Sequence, residues 1–391
     1  MTRTSPSSPL TISPLAKPLA GTLVVSLDQA VAAPLTARRL ADAGARVIKL
    51  ERPEGDFARH YDTVVRGQCT HFVWLNRGKE SVVADLTKAE DRRLFEALVA
   101  KADVLLQNLK PGALAKLGYP VDALCRRYPR LVACSISGYG DDGPYRERKA
   151  YDLLIQAESG LASITGGPEA PARVGVSVVD IATGMHAYEA ILEALIARGR
   201  TGRGADIRVS MFDAMMEWMG IAMLYAEYGA PQKRLGLTHP TVAPYGVFQS
   251  AEGAAILISI QNDREWAVLC TKVLKRPELA ADPRFATSPA RAANRVETDA
   301  AVADFFASRP MERLASELEA AQIAFARVNT VEDILRHPHL RRVAVSSPWG
   351  EFAVPASPAR LAGEPEPEYG PLPALGQHTE EVRREFLESA G

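Results

Sequence analysis

Several marks of familiar function are missing from these 391 residues. Cysteine is scarce: Cys69, Cys125, Cys134 and Cys270 are scattered without a C-x-x-C spacing, so neither a disulfide framework nor a thiolate metal site is expected. A reducing cytoplasm suits such usage. Charge of one sign is missing too, with 46 basic residues against 47 acidic ones and a net charge of −1. Such a balance supplies no field for holding a nucleic-acid backbone or an anionic membrane, so neither is expected as a partner. Long apolar runs are also lacking. The most apolar stretch, residues 215–228, is interrupted by Glu217 and Glu227 and is too short to span a bilayer. Its methionines, Met215, Met216, Met219 and Met223, suit the buried side of a helix.

What is present reads as a globular α/β chain. Hydrophobic residues make up 47% and charged ones 24%, and the length allows two or three domains. Residues 1–18, rich in Ser, Thr and Pro, read as a disordered tail without the apolar core of a signal peptide. From Gly21, short β-branched runs alternate with helical periods. Strands are expected at 22–27, 46–50, 81–84, 103–107 and 131–136, with helices at 34–43, 88–101 and near Pro111. This alternation implies βαβ units and a mostly parallel sheet. Residues 51–79 read as an insertion, and 181–198 as a strongly periodic helix. The Gly/Arg-rich segment 199–204 is the best linker candidate. After it come a strand at 206–210, the Met-rich helix, a proline-containing loop at 233–245, a strand at 254–260 and Ala/Glu/Arg-rich helices.

Motif absences narrow the chemistry. The first turn, Asp28-Gln29-Ala30-Val31-Ala32-Ala33-Pro34, has no GxGxxG, so a dinucleotide pyrophosphate is disfavoured. GxxxxGK[ST], HExxH and GxSxG are absent, and no His/Cys cluster shows metal spacing, so no metal is expected. Carboxylates and glycine turns remain. Residues 175–179 read as an apolar strand ending at Asp180, which then opens a helix. Asp180 is either a capping aspartate or a nucleophile kept ionised at the positive end of the helix, with small Ala182 and Gly184 giving a substrate access. Asp152 also begins a helix and reads more strongly as a cap. Two further segments leave strand ends, where α/β sheets place ligands: Asn108-Leu-Lys110-Pro-Gly112 and Ser137-Gly138-Tyr139-Gly140.

Together these pieces resemble one family, the class III (CaiB/BaiF-type) CoA transferases, which also includes α-methylacyl-CoA racemases. The resemblance runs from about Pro18 to the C-terminus. It is carried by Ala43-Gly-Ala-Arg-Val-Ile-Lys49-Leu-Glu51, Asn76-Arg-Gly-Lys79-Glu-Ser81, Asn108 to Gly112, Ser137 to Tyr145, Tyr151-Asp152…Gln156, Asp180…Gly184, Pro244-Tyr-Gly246 and Leu375-Gly-Gln-His-Thr-Glu380. It implies that Asp180 is a catalytic nucleophile working through an aspartyl-CoA thioester, with acyl-CoA as substrate and no tightly bound cofactor. It points to CoA contacts at Val31, Ala32, Arg52, Ala84, Asp85, Leu86, Thr87, Asn108, Lys110, Lys116, Ser137, Gly138, Tyr139 and Gly140.

Val31, Lys116 and Ser137 depart from the formyl-CoA transferase pattern, and the loop near His239 lacks its glycine run, which argues against oxalate or formyl-CoA. Tyr151 stands where racemases carry a proton-transfer histidine, which favours transfer over racemisation. Residues 71–76, 151–156 and 239–246 look most like the branch handling small dicarboxylates, with itaconate and succinyl-CoA as the first expectation. Arg59, His71 or His239 would pair with the remote carboxylate, and Tyr151 joins them as a substrate candidate. The resemblance further implies a large Rossmann-like CoA-binding domain from 19–200 and 326–391, a smaller α+β domain at 205–325, and an interlocked homodimer. A non-catalytic acyl-CoA-binding protein is the remaining alternative, which would not need Asp180.

Overall fold

In the computed structural model, residues 17–388 are described. The tail expected at 1–18 lies almost wholly outside them. The described residues divide into two compact units, one of residues 17–159, 174–220 and 341–388, the other of residues 160–173 and 221–340.

The first unit is built on β1 (Leu23–Leu27), α1 (Ala32–Asp42), β2 (Arg46–Glu51), α2 (Thr70–Leu75), β3 (Lys79–Val83), α3 (Ala89–Lys101) and β4 (Val104–Gln107). It continues with α4 (Ala113–Lys116), α5 (Val121–Arg127), β5 (Val132–Ser137) and α6 (Asp152–Glu158). The short α7 (Leu161–Ile164) belongs to the second unit, and then come α8 (Val178–Thr201), β6 (Ala205–Ser210) and α9 (Met211–Trp218). Six strands form one parallel sheet in the order β3-β2-β1-β4-β5-β6. Val24 pairs with Val47 on one side and Val104 on the other, which fixes the register at the sheet centre. Near-continuous apolar strands such as Leu-Val-Val-Ser-Leu can be buried on both faces, as a parallel sheet requires.

One face is covered by Leu94, Phe95 and Leu98 of α3, packed on Val25, Ile48, Val82 and Leu105. On the other, α1 and α8 pack very closely. A Cβ on Gly184 would lie 2.6 Å from the Ala32 carbonyl oxygen, so only glycine permits this approach.

Three sequence expectations are corrected here. Residues 175–179 are not a strand: Val178 and Val179 form the first turn of α8. The reason is a cap supplied from elsewhere in the chain, described below. The linker candidate at 199–204 is a tight connection inside the first unit. Helix α8 runs to Thr201, Gly202 closes it at φ 71°, and β6 then pairs with β5. Strand β6 therefore belongs to the large sheet, not to a smaller domain starting at 205.

The second unit takes in α10 (Gly220–Tyr228) from Ile221 onward, then β7 (Tyr245–Gln249), β8 (Ala255–Ser259), five helices between Asp263 and Ala320, and β9 (Ala324–Arg327). Its three strands are antiparallel in the order β7-β8-β9. Ile256, Ile258, Trp266, Phe306 and Leu314 form its core. The Met-rich stretch splits. Met215 and Met219 are buried, as core packing requires, but Met223 is 51% exposed beside Ile221, Leu224 and Tyr228 on α10.

The chain then returns to the first unit. Two antiparallel strands, β10 (Arg342–Val345) and β11 (Phe352–Pro355), precede the C-terminal motif. That motif is stitched along the edge strand β3. The Gly376 amide donates to Ser81 Oγ at 2.9 Å, the Ser81 amide to His378 Nδ1 at 3.1 Å, and the Val83 amide to Thr379 Oγ1 at 3.0 Å. These bonds cover an edge that would otherwise be open to another strand.

Candidate active site

Asp180 is the third residue of α8, and it does not cap its helix. The N-cap residue, Ser177, makes no side-chain cap bond either. Asp152, from the start of α6, does this work: its Oδ1 accepts from the Val179 amide at 2.8 Å and the Asp180 amide at 3.3 Å. Its Oδ2 accepts from Gln156 Nε2 at 2.7 Å, and Gln156 Oε1 accepts from the Val174 amide at 2.8 Å. The capping role expected of Asp152 is therefore real but serves the helix of Asp180, not its own. This cap is what lets two valines enter a helical turn.

The arrangement puts two carboxylates side by side. Burial first, and then the negative charge of Asp152, push the Asp180 carboxyl up to about 7. Asp180 is thus a more basic carboxylate than usual, with part of its surface still open to solvent.

A cleft of about 150 Å³ opens where the strand order reverses between β1 and β4, the crevice in which open α/β sheets bind ligands. Its walls include Arg52 after β2, the segment Ala84 to Thr87 after β3, and Leu109 after β4. Five of the residues expected to meet CoA, Arg52, Ala84, Asp85, Leu86 and Thr87, are brought together here. Asn108 acts on the neighbouring turn: its Oδ1 accepts from the Gln29 amide and its Nδ2 donates to the Gln29 carbonyl, both at 2.8 Å. Ala30 beside it holds φ 61°, a strained setting for a residue with a Cβ. The side chains of Val31 and Ala32 are buried, so any ligand contact there must come from the backbone. Helix α1 has no side-chain cap and no acidic residue in its first turn, which leaves its positive end available to an anion.

Other expected contacts are placed elsewhere. Lys110 and Ser137 line a separate cleft of about 340 Å³ with Arg146 and Arg208. Ser137 Oγ accepts from the Gly140 amide at 3.1 Å, and Gly138 lies flat against Ala150, where a Cβ would meet the Ala150 side chain at 2.2 Å. Tyr139 packs edge-on against Tyr145 at 5.5 Å. Lys116 is exposed and lines neither cleft.

Beneath the first cleft lies a charge network that sequence reasoning missed. Asp28, Lys49, Asp56 and Lys79 are all buried. Lys49 Nζ donates to Asp28 Oδ1 at 2.5 Å and Asp56 Oδ2 at 3.0 Å, while Lys79 Nζ donates to Asp28 Oδ2 at 2.8 Å and Asn76 Oδ1 at 2.9 Å. Burial alone would raise the Asp28 carboxyl, but the two ammonium groups win and hold it well below the usual range. Burial and the Lys49 charge push Lys79 down to about 8, against the pull of Asp28. Asp56 Oδ1 also accepts from the Ala30 amide at 3.2 Å, so the network braces the strained turn. Lys49 stood in the sequence as part of an apolar strand and Lys79 at the end of the expected insertion, just before another, and period-two patterning gives no sign that such a lysine points inward.

The substrate candidates differ in how free they are. Arg59 is committed: its guanidinium makes two bonds to Glu51, at 2.8 and 2.7 Å, and stacks 3.6 Å from the Phe72 ring. His71 packs edge-on against Tyr61 at 5.4 Å. Burial, and then the charges of Asp56 and Asp180, raise the Tyr61 phenol above its ordinary value, so Tyr61 belongs to the Asp180 surroundings although no motif flagged it. Tyr151 is the N-cap of α6 and 61% exposed. His239 lies in the second unit, stacked on Tyr245 at 5.1 Å. Asp62, Cys69 and His71 each bring one ligand atom within 4.8 Å of the others. Asp62, however, already accepts from the Val64 amide and from both the hydroxyl and the amide of Thr70.

Comparison with known proteins bears on the whole chain. The family model described as CoA-transferase family III matches residues 19–379. An acetyl-CoA:oxalate CoA-transferase of Acetobacter aceti is 36% identical over 99% of this chain and 98% of its own. A succinate–glutarate CoA-transferase of Agrobacterium fabrum is 34% identical over 94% of this chain and 96% of its own. Among solved structures, a CaiB/BaiF family protein from Brucella suis superposes with a TM-score of 0.81 at 35% identity, covering 95% of this chain and 100% of that one. A matching family model, related sequences along the whole chain and the same α/β architecture agree: the chain belongs to CoA-transferase family III and is a CoA transferase.

Proposed function

We propose that this chain moves CoA from succinyl-CoA to a small dicarboxylic acid such as itaconate, through a thioester formed on Asp180. The observation that carries the reading is the half-buried carboxylate of Asp180 on the first turn of α8, beside a second carboxylate that raises its basicity. In the first step the Asp180 carboxylate attacks the donor thioester carbonyl and expels CoA thiolate, leaving a mixed anhydride. The thiolate then attacks the aspartyl carbonyl, forming aspartyl-CoA and releasing the donor acid. The acceptor carboxylate attacks that thioester to form a new anhydride, and the thiolate returns to the acceptor's acyl carbon, freeing Asp180. Each step exchanges one activated acyl bond for another, so no external energy source is consumed. A carboxylate of raised basicity is the better nucleophile in the first of these steps.

The switch-point cleft is proposed to hold CoA, with Arg52 meeting a phosphate and the first-turn amides of α1 another. The expectation that disfavoured oxalate rested on Val31, Lys116 and Ser137 and on the lack of a glycine run in the loop near His239, which remains a difference from that branch. Val31 is buried, Lys116 is exposed outside both clefts, and Ser137 lines a different one, so these departures say little about the acceptor. With an oxalate-named relative at 36% identity, oxalate joins itaconate, glutarate, malate and mesaconate as a candidate acceptor, and acetyl-CoA joins succinyl-CoA as a candidate donor.

A homodimer is part of the same reading, supported by the exposed apolar face of α10 at Ile221, Leu224 and Tyr228. A cytoplasmic location is supported by four free cysteines, and no helix among the described residues is long and apolar enough to cross a membrane.

The test is a mass-spectrometric screen of both donors against dicarboxylic and monocarboxylic acids. Formation of a dicarboxylyl-CoA names the acceptor. Equal turnover of monocarboxylates refutes the dicarboxylate assignment, and trapping with hydroxylamine during turnover must mark Asp180.

A further inference from the structure

A second cavity, of about 500 Å³, shares no lining residue with the switch-point cleft and is walled entirely by the first unit. Four arginines line it, Arg38, Arg39, Arg77 and Arg360, against two acidic residues, Asp42 and Glu364. Two positive charges are therefore left over. The pairing within the group is uneven. Arg77 occupies both oxygens of Asp42, at 2.9 and 2.8 Å. Arg38 stands 3.9 Å from the same carboxylate, and its buried Nε has no hydrogen-bond acceptor among the described residues. Arg39 lays its guanidinium over the Tyr188 ring, 4.7 Å from the centroid, and has no ion-pair partner among the described residues.

Burial of Arg38, with Arg77 and Arg39 nearby, lowers its pKa to about 10 despite Asp42, which registers how poorly this charge is compensated. Buried charge normally comes with partners; the Arg38 Nε is too enclosed to meet a ligand itself, but the planar guanidinium of a cavity-lining arginine without an ion-pair partner among the described residues, as at Arg39, matches an oxyanion. Apart from Ser357, the rest of the wall is apolar, including Ile181 and Met185 of α8, the Tyr188 and Tyr369 rings, and Pro358 and Pro367. The volume is that of an ordinary small-molecule pocket.

We propose that this cavity is a second binding site, for a small organic anion with a carboxylate or phosphate head held by Arg38 and Arg39 and an apolar body laid against the tyrosine and proline walls. The site stands apart from the thioester chemistry, since neither Asp180 nor any residue of the CoA cleft lines it. It touches that chemistry through α8, where Ile181 follows the nucleophile directly, and through α1, which lends Leu35, Arg38, Arg39 and Asp42 to the cavity and its first turn to the proposed CoA site.

Isothermal titration of the full chain with hexanoate, and separately with inorganic phosphate, tests the assignment. Saturable binding of either is expected, and the preferred head group tells a carboxylate site from a phosphate site. Arg39→Gln should weaken it by about tenfold or more, while Arg39→Lys keeps most of it, because the charge remains. Arg39 is part-exposed, so this change should leave the fold intact, and an unaltered circular-dichroism spectrum checks that. Arg52→Gln, at the other cleft, should leave hexanoate binding unchanged. No saturable binding of either probe would overturn the proposal. So would equal hexanoate affinity in Arg39→Gln, or equal weakening of hexanoate binding by Arg52→Gln, which would put the ligand in the CoA cleft. A shift in sedimentation mass on Arg39→Gln would overturn it as well, by assigning the cavity to contact between copies.

Discussion

Replacing Asp180 by asparagine should make this protein more stable at neutral pH while abolishing turnover. The folded chain holds the Asp180 proton up to about pH 7, against an ordinary value of 3.8. A raised carboxyl pKa means that the folded state binds more protons than the unfolded one between those values. Stability from this residue therefore falls as pH rises through that window, and above about 7 the full cost of the buried charge is present. A gap of about three pKa units corresponds to something on the order of 4 kcal/mol. With an unfolding entropy near 2.1 cal/mol/K per residue, that becomes about 5 °C in melting temperature for a chain of this size. Asp180→Asn keeps the shape and removes the charge. Thermal unfolding followed by circular dichroism should show the variant about 5 °C above the wild type near pH 8, with the difference vanishing near pH 4. In parallel, wild-type kcat/KM for the acyl-CoA should rise with pH to a plateau, with an inflection near 7. Equal melting temperatures at both pH values, together with an inflection near 4, would refute the claim that this carboxylate is held out of water next to another.

The remaining predictions concern what surrounds the nucleophile. Asp152→Asn keeps an oxygen for the Val179 amide but removes the like charge, so the inflection in kcat/KM should move to lower pH; an unmoved profile would mean that burial alone sets it. Lys79→Met leaves Asp28 with one buried partner in place of two, and should destabilise the chain by about 3–5 kcal/mol, read by urea unfolding. Gly184→Ala places a methyl group against the Ala32 carbonyl and forces α1 away from α8, with an expected loss of about 1–3 kcal/mol; unchanged stability would show that the helices can separate freely. Arg52→Gln should raise KM for acyl-CoA roughly fivefold to tenfold with kcat little altered, in steady-state assays, as loss of one phosphate contact implies.

By itself the sequence determined the layering of the large unit. Apolar runs alternating with helical periods placed β1, β2, β4 and β5 to within a residue or two, because a doubly covered parallel strand must be apolar almost throughout. It also brought Asp180 forward as a nucleophile candidate, once its motif stood in order with the others. Patterning failed where a side chain from far along the chain changed the local outcome. Residues 175–179 look like a strand because three of the five are valines, and they enter α8 because Asp152 caps it from more than 20 residues upstream. Likewise the Gly/Arg segment after α8 looks like a linker, but pairing of β5 with β6 draws it into the sheet. Lysines in strands pass for exposed residues until folding closes Asp28 and Asp56 around them. Only the tertiary structure decided these points. Hydrophobic period is a local property of the chain, whereas a cap, a buried ion network and a carboxylate raised to about 7 exist only when separate segments meet.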